Sequence, residues 1–208
     1  MTALDPRREV MITASNMARA LAMSPSYMAE LIEARRNPPE RGAPTGFTGI
    51  KATDWGKKWE PSALAEYELR FDVDAERPGF LVHPEVPYVG GTPDALIGAD
   101  GGAEVKCPED EGNHLVTAAS RAVPPQYVAQ VQTYLWITGR AWWDYVSFDP
   151  RCRVEPLVVI RVLPDRELHE RMAMRCALFW KAVEAEAVPA TLDALAGGVP
   201  VFFPGKAR

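Results

Sequence analysis

A glycine-rich turn at residues 98–102 constrains the fold of this chain more than any other feature of its sequence. The turn reads Gly-Ala-Asp-Gly-Gly, with the run Pro-Asp-Ala-Leu-Ile before it and Ala-Glu-Val-Lys-Cys after it. A glycine-rich connection between two short β-like runs is typical of a β-hairpin. The sequence therefore predicts a hairpin over residues 93–108.

The predicted hairpin gathers three charged side chains. Residues i and i+2 of a strand project from the same face, so Glu104 and Lys106 point together. The turn folds the preceding strand back and brings Asp94 alongside them. Two carboxylates this close repel each other unless a cation lies between them. Oxygen ligands without a thiolate or an imidazole favour Mg²⁺ or Mn²⁺ over zinc.

An exposed hairpin with a surface Glu–Lys pair is the alternative interpretation, and such pairs add little stability. The apolar residues around the charged trio favour a buried site, because burying charged groups is costly. On the hairpin alone, both interpretations stay open.

The N-terminal stretch has a helical period. Residues 10–37 predict two short helices, with Ala, Met and Leu at helical spacing. Ser15 is the predicted cap of the first helix, and Ser24 or Ser26 is that of the second. A loop rich in proline and glycine follows.

The rest of the chain alternates between helical and strand periods. A helix is predicted over 55–71, where Pro61 indicates a kink or a late start. The later elements are predicted as strands at 80–82 and 88–89, the hairpin, a helix over 125–138 ended by Gly139, strands at 141–149 and 155–163, and a helix over 166–186. This order predicts an α/β fold with a central mixed β-sheet flanked by helices on both faces.

Length and composition predict one domain in a reducing compartment. The 208 residues suit a single core, divided here into N-terminal helices (1–40), a catalytic core (54–187) and a C-terminal extension (188–208). The net charge of −5 argues against a wholly basic nucleic-acid coat, although not against a basic groove. The 3 cysteines form no CxxC pair, and neither a signal peptide nor a membrane-length apolar run is visible, so a cytoplasmic protein is expected.

Six ordered segments resemble one known family. The spacing of Pro93-Asp94 and Glu104-Val105-Lys106 is similar to that of the PD-(D/E)XK nuclease superfamily. More closely, residues 8–187 resemble the phage lambda exonuclease (alkaline exonuclease) family, which implies a restriction-endonuclease-like core. The resemblance is carried by ITAS (12–15), WGKKWE (55–60), TPDAL (92–96), EVKCP (104–108), YVAQVQTYLWIT (127–138) and AWWDYVSFDPR (141–151).

The resemblance implies two Mg²⁺ ions, with Mn²⁺ as a possible substitute. Asp94 and Glu104 would hold one ion together with the carbonyl of Val105. Glu60 would join Asp94 on the second. Two such ions can activate water on one side of a phosphodiester and stabilise the leaving oxygen on the other.

The resemblance also implies how the attacking water is handled. Lys106 aligns with the lysine that positions or deprotonates this water. Gln130 aligns with a residue that orients that lysine and the water. A free lysine has a pKa of about 10.4, so it can act as a base only if this pKa is lowered or a metal ion assists. Activity at alkaline pH would follow.

The implied 5′-phosphate pocket consists of Arg8 and Ser15. A guanidinium fork suits a terminal phosphate. The family has a second arginine soon after its ExKCP segment, where this chain reads Glu-Asp-Glu-Gly-Asn at 109–113. Arg121 is the candidate to replace it. Contacts to the DNA backbone are expected from Arg35, Arg36, Lys57 and Lys58, for which a solvated surface is the alternative.

The implied activity is a Mg²⁺-dependent 5′-to-3′ exonuclease that digests one strand of duplex DNA and leaves a 3′ single-stranded tail. The resemblance also implies a homotrimeric ring, a phage-type single-strand annealing protein as partner, and a bacterial or phage-encoded protein. Two alternatives stay open. One is a PD-(D/E)XK endonuclease or a nuclease of other polarity, and the other is a catalytically idle DNA-binding subunit.

Overall fold

A computed structural model describes residues 5–38 and 51–188 of the chain. The helices are α1 (Met17–Leu21), α2 (Pro25–Arg36), α3 (Lys51–Phe71), α4 (Glu111–Ser120), α5 (Pro125–Thr138) and α6 (Arg166–Glu184), with short 3₁₀ turns at Pro6–Val10 and Ala14–Asn16. The strands are β1 (Ile12–Thr13), β2 (Ala75–Glu76), β3 (Leu81–Val82), β4 (Val89–Gly91), β5 (Ala95–Ile97), β6 (Gly101–Lys106), β7 (Trp142–Phe148) and β8 (Leu157–Val162). Beyond Val188, the predicted C-terminal extension lies outside the described residues. No helix in the described ranges combines the length and apolar character needed to cross a membrane.

The central sheet has five strands in the order β2-β5-β6-β7-β8. β5 and β6 form the predicted antiparallel hairpin, and Gly98 in its turn has a positive φ of 53°, which glycine adopts without steric cost. β6 pairs in parallel with β7, from Gly101 opposite Trp142 to Lys106 opposite Ser147. β7 then pairs antiparallel with β8. The predicted central mixed sheet is therefore confirmed.

Helices cover both faces of this sheet. Alternate residues of β7 point to opposite sides, as the two-residue period of a strand requires. Val146 packs with Tyr67 of α3 in one buried cluster. Trp143 and Tyr145 pack with Leu135 of α5 in another. The prediction of helices on both faces is confirmed.

The N-terminal helices pack against the last helix. Leu31 of α2 lies in one buried cluster with Phe179 and Trp180 of α6. A second, three-stranded sheet in the order β1-β4-β3 joins this region through Val89. The two ends of the described chain thus share one core, away from the hairpin.

Two of the predicted helix starts are wrong. Ser15 does not cap α1, because residues 14–16 first form a tighter 3₁₀ turn, and Asn16 occupies the cap position. Ser24 caps α2, since its hydroxyl accepts a hydrogen bond from the backbone N–H of Tyr27 at 3.3 Å. α3 begins at Lys51 and continues through Pro61, so the late start is also wrong. Packing of the residues that follow Pro61 offsets its missing hydrogen bond.

α4 is absent from the predicted elements. The side chain of Asp110 accepts a hydrogen bond from the backbone N–H of Gly112 at 2.8 Å, which is a helix-start signal. The buried residues of α4 are His114 and Thr117. Because these are polar, while Leu115 and Val116 of α4 are exposed, α4 does not bury the apolar stripe by which the other helices are recognised.

A buried carboxylate on β7, opposite Ala103 of the hairpin strand β6, stabilises the central sheet. Asp144 accepts two hydrogen bonds from Arg161 at 2.9 Å and one from the Tyr67 hydroxyl at 2.7 Å. Arg161→Ala is expected to lower the free energy of unfolding by about 2 kcal/mol, because a buried carboxylate loses its charged partner. Urea unfolding measures this loss. Arg171→Ala, which breaks an exposed pair with Glu167, is the control and should cost less than about 1 kcal/mol. Equal effects of the two substitutions would contradict the assignment.

Candidate active site

The hairpin and α5 bring four of the predicted site residues together. Asp94 accepts a hydrogen bond from the backbone N–H of Val105 at 2.7 Å, which fixes its carboxylate against β6. Lys106 Nζ donates to Glu104 Oε1 at 2.5 Å. Gln130 Nε2 donates to the same oxygen at 2.6 Å. Asp94, Glu104, Lys106 and Gln130 therefore form one cluster at the open end of the hairpin.

The cluster is buried, and burial changes its electrostatics. Burial raises the pKa of Asp94 well above its usual range, and the nearby charge of Glu104 raises it further. Burial also raises the pKa of Glu104, against the opposing effect of Lys106. Burial lowers the pKa of Lys106, but the two carboxylates outweigh it, so the net shift is upward. The carboxylates therefore lie in a site that favours an added positive charge.

Glu60 reaches the same site from α3. A cleft of about 960 Å³ is lined by Glu60, Asp94 and Lys106, among others. The charge of Glu60 is one of the causes that raise the pKa of Asp94 and of Glu104. Its carboxylate pairs with Arg77 at 3.2 Å. Glu60 thus faces the cluster, and Arg77 neutralises the charge of the Glu60 carboxylate.

One oxygen of the cluster has no hydrogen-bond partner in the part of the chain that the structure describes. Glu104 is 2% exposed, and its Oε2 is buried without a hydrogen bond. Such an atom is costly unless it binds a cation or water. Within 5–38 and 51–188, no three His, Cys, Asp or Glu side chains form a preassembled metal site. The donor set of carboxylate oxygens and the carbonyl of Val105 nevertheless fits a hard divalent cation.

Two tyrosines of α5 belong to the cluster although the sequence did not single them out. Tyr127 lies with its ring centroid 5.1 Å from Lys106 Nζ. The hydroxyl of Tyr134 donates to the Thr92 carbonyl at 3.0 Å and lies 3.4 Å from Gln130 Nε2. The signal is their spacing, because residues three before and four after Gln130 share its helix face.

The two predicted phosphate-binding residues lie in the N-terminal segment. Burial raises the pKa of Tyr134, and the charge of Arg8 is among the effects that oppose this, so Arg8 lies near the cluster. The side chain of Arg8 has no ion pair among the described residues. Ser15 is exposed, and its Oγ lies 3.3 Å from Thr13 Oγ1. Neither residue is among those that line the cleft.

Most of the other predicted DNA contacts have protein partners. Lys57 lines the cleft, whereas Lys58 lies over the ring of Trp59. Arg35 lies over the ring of Trp180, and Arg36 pairs with Glu186. Arg121, the candidate second arginine, donates to both carboxylate oxygens of Glu155 at 2.7 Å. Lys57, which lines the cleft, is therefore the best-placed candidate for a contact to the DNA backbone.

The wall of the cleft is attached to the sheet through His114 of α4. One ring nitrogen of His114 lies 2.9 Å from Ser147 Oγ on β7, and the other lies 2.8 Å from the carbonyl of Glu155. Ser147 is opposite Lys106 in the β6–β7 pairing. The buried imidazole thus connects α4 to the strand beside the cluster, which is a structural role.

Comparison with known proteins gives the family. Residues 4–141 match the family described as YqaJ-like viral recombinase domain. The chain belongs to this family. An alkaline exonuclease (LHK-Exo) from Laribacter hongkongensis is 32% identical, with a TM-score of 0.76 over 86% of this chain and 90% of that one. The structure of LHK-Exo in complex with dAMP is 30% identical, with a TM-score of 0.79 over 87% of this chain and 91% of that one.

A phage-related exonuclease from Haemophilus somnus 129PT supports the fold alone. It is 15% identical, with a TM-score of 0.67 over 86% of this chain and 95% of that one. No curated protein sequence gives a match. The predicted relationship to the alkaline exonucleases is confirmed, and the protein is a nuclease of the YqaJ-like family.

Proposed function

We propose that the protein is a Mg²⁺-dependent exonuclease that digests one strand of duplex DNA from 5′ to 3′ and leaves a 3′ single-stranded tail. The observation that supports this proposal is the buried Oε2 of Glu104, which has no hydrogen-bond partner among the described residues, next to Asp94, which lines the open cleft. The family supports it, because one solved alkaline exonuclease relative is a complex with dAMP, a nucleotide of the kind that DNA digestion releases.

The proposed metal ligands are the oxygens that the cluster gathers. Asp94, Glu104 and the carbonyl of Val105 would hold one Mg²⁺, and Glu60 with Asp94 would hold the second. Mn²⁺ suits the same donors. Bound divalent cations would neutralise the negative charge that gathers on the phosphate oxygens during cleavage.

The remaining residues of the cluster would hold and orient the attacking water. The ammonium of Lys106, held by Glu104 at 2.5 Å, would position the attacking water and stabilise the charge that develops on it. Gln130 would keep the Glu104 carboxylate, and through it Lys106, in a fixed orientation. Side chains fixed before the substrate arrives contribute most to catalysis.

A digestion assay tests this proposal. Linear duplexes labelled at the 5′ or the 3′ end are incubated with the protein and Mg²⁺, Mn²⁺ or EDTA. We expect mononucleotides from the 5′ ends, a 3′ single-stranded tail at each end of the duplex, and no product with EDTA. Cleavage of a closed circular duplex would favour the endonuclease. Digestion from 3′ ends would favour the other polarity, and binding without any product would favour the idle subunit.

Arg8 and Ser15 would supply the 5′-phosphate pocket and so set the polarity. Arg8→Ala is expected to remove most of a preference, at least tenfold in the wild type, for 5′-phosphorylated over 5′-hydroxyl duplexes. Charge-assisted hydrogen bonds of this kind are worth about 1.5–3 kcal/mol each. Initial digestion rates of duplexes that differ only at the 5′ end measure the preference.

The adjacent Arg7 offers a matched control for this prediction. Arg7 pairs with Asp5 and lies over the ring of Phe80, so Arg7→Ala should leave the preference intact. If the wild-type protein digests 5′-phosphorylated and 5′-hydroxyl duplexes at equal rates, the proposed 5′-phosphate pocket is wrong. The pairing of Arg121 with Glu155 argues against Arg121 as the second arginine, so Arg8 would carry most of the selectivity.

The proposal extends to assembly and partners. By resemblance to its family, the whole chain, 1–208, would form one nuclease domain, three copies would form a ring around the duplex, and a phage-type single-strand annealing protein would receive the 3′ tail. Light scattering of the purified protein, alone and with duplex DNA, tests the trimer. A monomer under both conditions would contradict it.

A further inference from the structure

The ammonium of Lys106 contacts two different groups. Glu104 accepts its hydrogen bond at 2.5 Å. The ring centroid of Tyr127 is 5.1 Å from Lys106 Nζ. The Lys106 side chain is only 26% exposed, so little water replaces either contact. The ring face of an aromatic residue attracts a cation through its negative quadrupole, and this attraction is stronger where water is excluded.

The ring of Tyr127 is itself fixed by a second aromatic ring. Tyr127 and Tyr145 are stacked, with centroids 5.6 Å apart and an angle of 26° between their planes. Tyr145 is 2% exposed and lies on β7 directly opposite Glu104. The aromatic pair is therefore anchored on the strand beside the cluster, and Tyr127 presents a rigid face to the cleft.

A lysine needs such a support more than other catalytic side chains do. Its long, flexible side chain and rotatable donors allow many positions for the ammonium. The carboxylates of Glu104 and Asp94 both attract the ammonium, and cations bound at these carboxylates would compete with it. The Tyr127 ring provides a further contact that does not bind the metals.

We propose that Tyr127 is a positioning residue for Lys106, and that it acts through the face of its ring rather than through its hydroxyl. This inference rests on the proposed function, in which Lys106 positions the attacking water. It implies that the ring sets the rate of the chemical step without setting the affinity for DNA.

Two substitutions at Tyr127 separate the ring from the hydroxyl. Tyr127→Phe keeps the ring and is expected to retain more than about half of the wild-type kcat. Tyr127→Leu removes the ring and is expected to lower kcat about fivefold to thirtyfold, with KM for duplex DNA and the Kd measured in EDTA unchanged. Tyr88→Leu is the matched control, because it removes a stacked tyrosine from the ring of Trp180, away from the cluster.

Fluorinated phenylalanines at position 127 keep the test valid if the Leu variant does not fold. Added fluorine withdraws charge from the ring face while the shape changes little, so kcat should fall stepwise with the number of fluorines. In a Lys106→Ala background, ring substitutions should have no further effect on the residual rate.

Each other outcome overturns the inference. Equal losses in Phe and Leu variants would assign the effect to the hydroxyl. A change in KM alone would make Tyr127 a DNA contact, and a flat fluorine series would exclude the ring face. If the ring substitutions lower kcat equally in the wild-type and the Lys106→Ala backgrounds, Tyr127 does not act through Lys106. Failure of the proposed function is distinguishable, because the wild-type protein itself would then release no nucleotides from duplex ends.

Discussion

Asp94→Asn is expected to reduce DNA cleavage by at least about 10³-fold while the protein still folds and binds duplex DNA. The substitution keeps the shape of the side chain and an oxygen to accept the hydrogen bond from Val105. It removes the negative charge that would hold the proposed cations. Charge stabilisation by metal ions in phosphoryl transfer is worth several kcal/mol, which corresponds to a loss of this size.

The hairpin offers a matched control for this substitution. Asp100 is exposed in the hairpin turn just before β6, outside the residues that line the cleft, and Asp100→Asn should keep the wild-type rate. Steady-state release of nucleotides from a labelled duplex measures both variants, and filter binding in EDTA confirms that DNA is still bound. Wild-type turnover of Asp94→Asn would contradict the metal assignment.

Lys106→Ala should reduce kcat by about 10²–10³-fold, the usual cost of losing a preorganised donor that stabilises charge at the reacting centre. The substitution removes the ammonium but none of the proposed metal ligands, and Gln130 still holds Glu104. Single-turnover digestion measures the loss, and calorimetry with Mg²⁺ measures whether the cations still bind.

Lys181→Ala on the exposed side of α6 serves as the control for removal of a lysine, and it should change neither rate nor metal binding. If the Lys106 variant loses Mg²⁺ binding together with activity, Lys106 supports the structure of the site instead of acting on the water. If it keeps full activity, the proposed role is wrong.

The centre of the site could be predicted because its determinants are local. Glu104 and Lys106 lie two residues apart on one strand, and the turn that brings Asp94 beside them is visible in the sequence. Strand geometry alone then fixes which side chains meet. Gln130 and Glu60 came from the resemblance to a family, because nothing local connects α5 or α3 to the hairpin.

The elements that escaped prediction depend on packing between distant segments. α4 buries His114 and Thr117 instead of an apolar stripe, and its partner Ser147 is 33 residues away from His114. Arg36 finds Glu186 at the other end of the described chain. Such pairings follow from the tertiary fold and leave no periodic signal in the sequence.

The parallel pairing of β6 with β7 also determines when the site can form. A parallel pair needs a long crossover, and here residues 107–141 with both α4 and α5 must fold before the two strands can meet. Non-local pairings of this kind form slowly, and a chain made from its N-terminus presents β7 last of the three strands around the cluster. A ribosome-bound chain that ends before residue 148 therefore carries the carboxylates without the strand that supports them, and we expect it to be inactive.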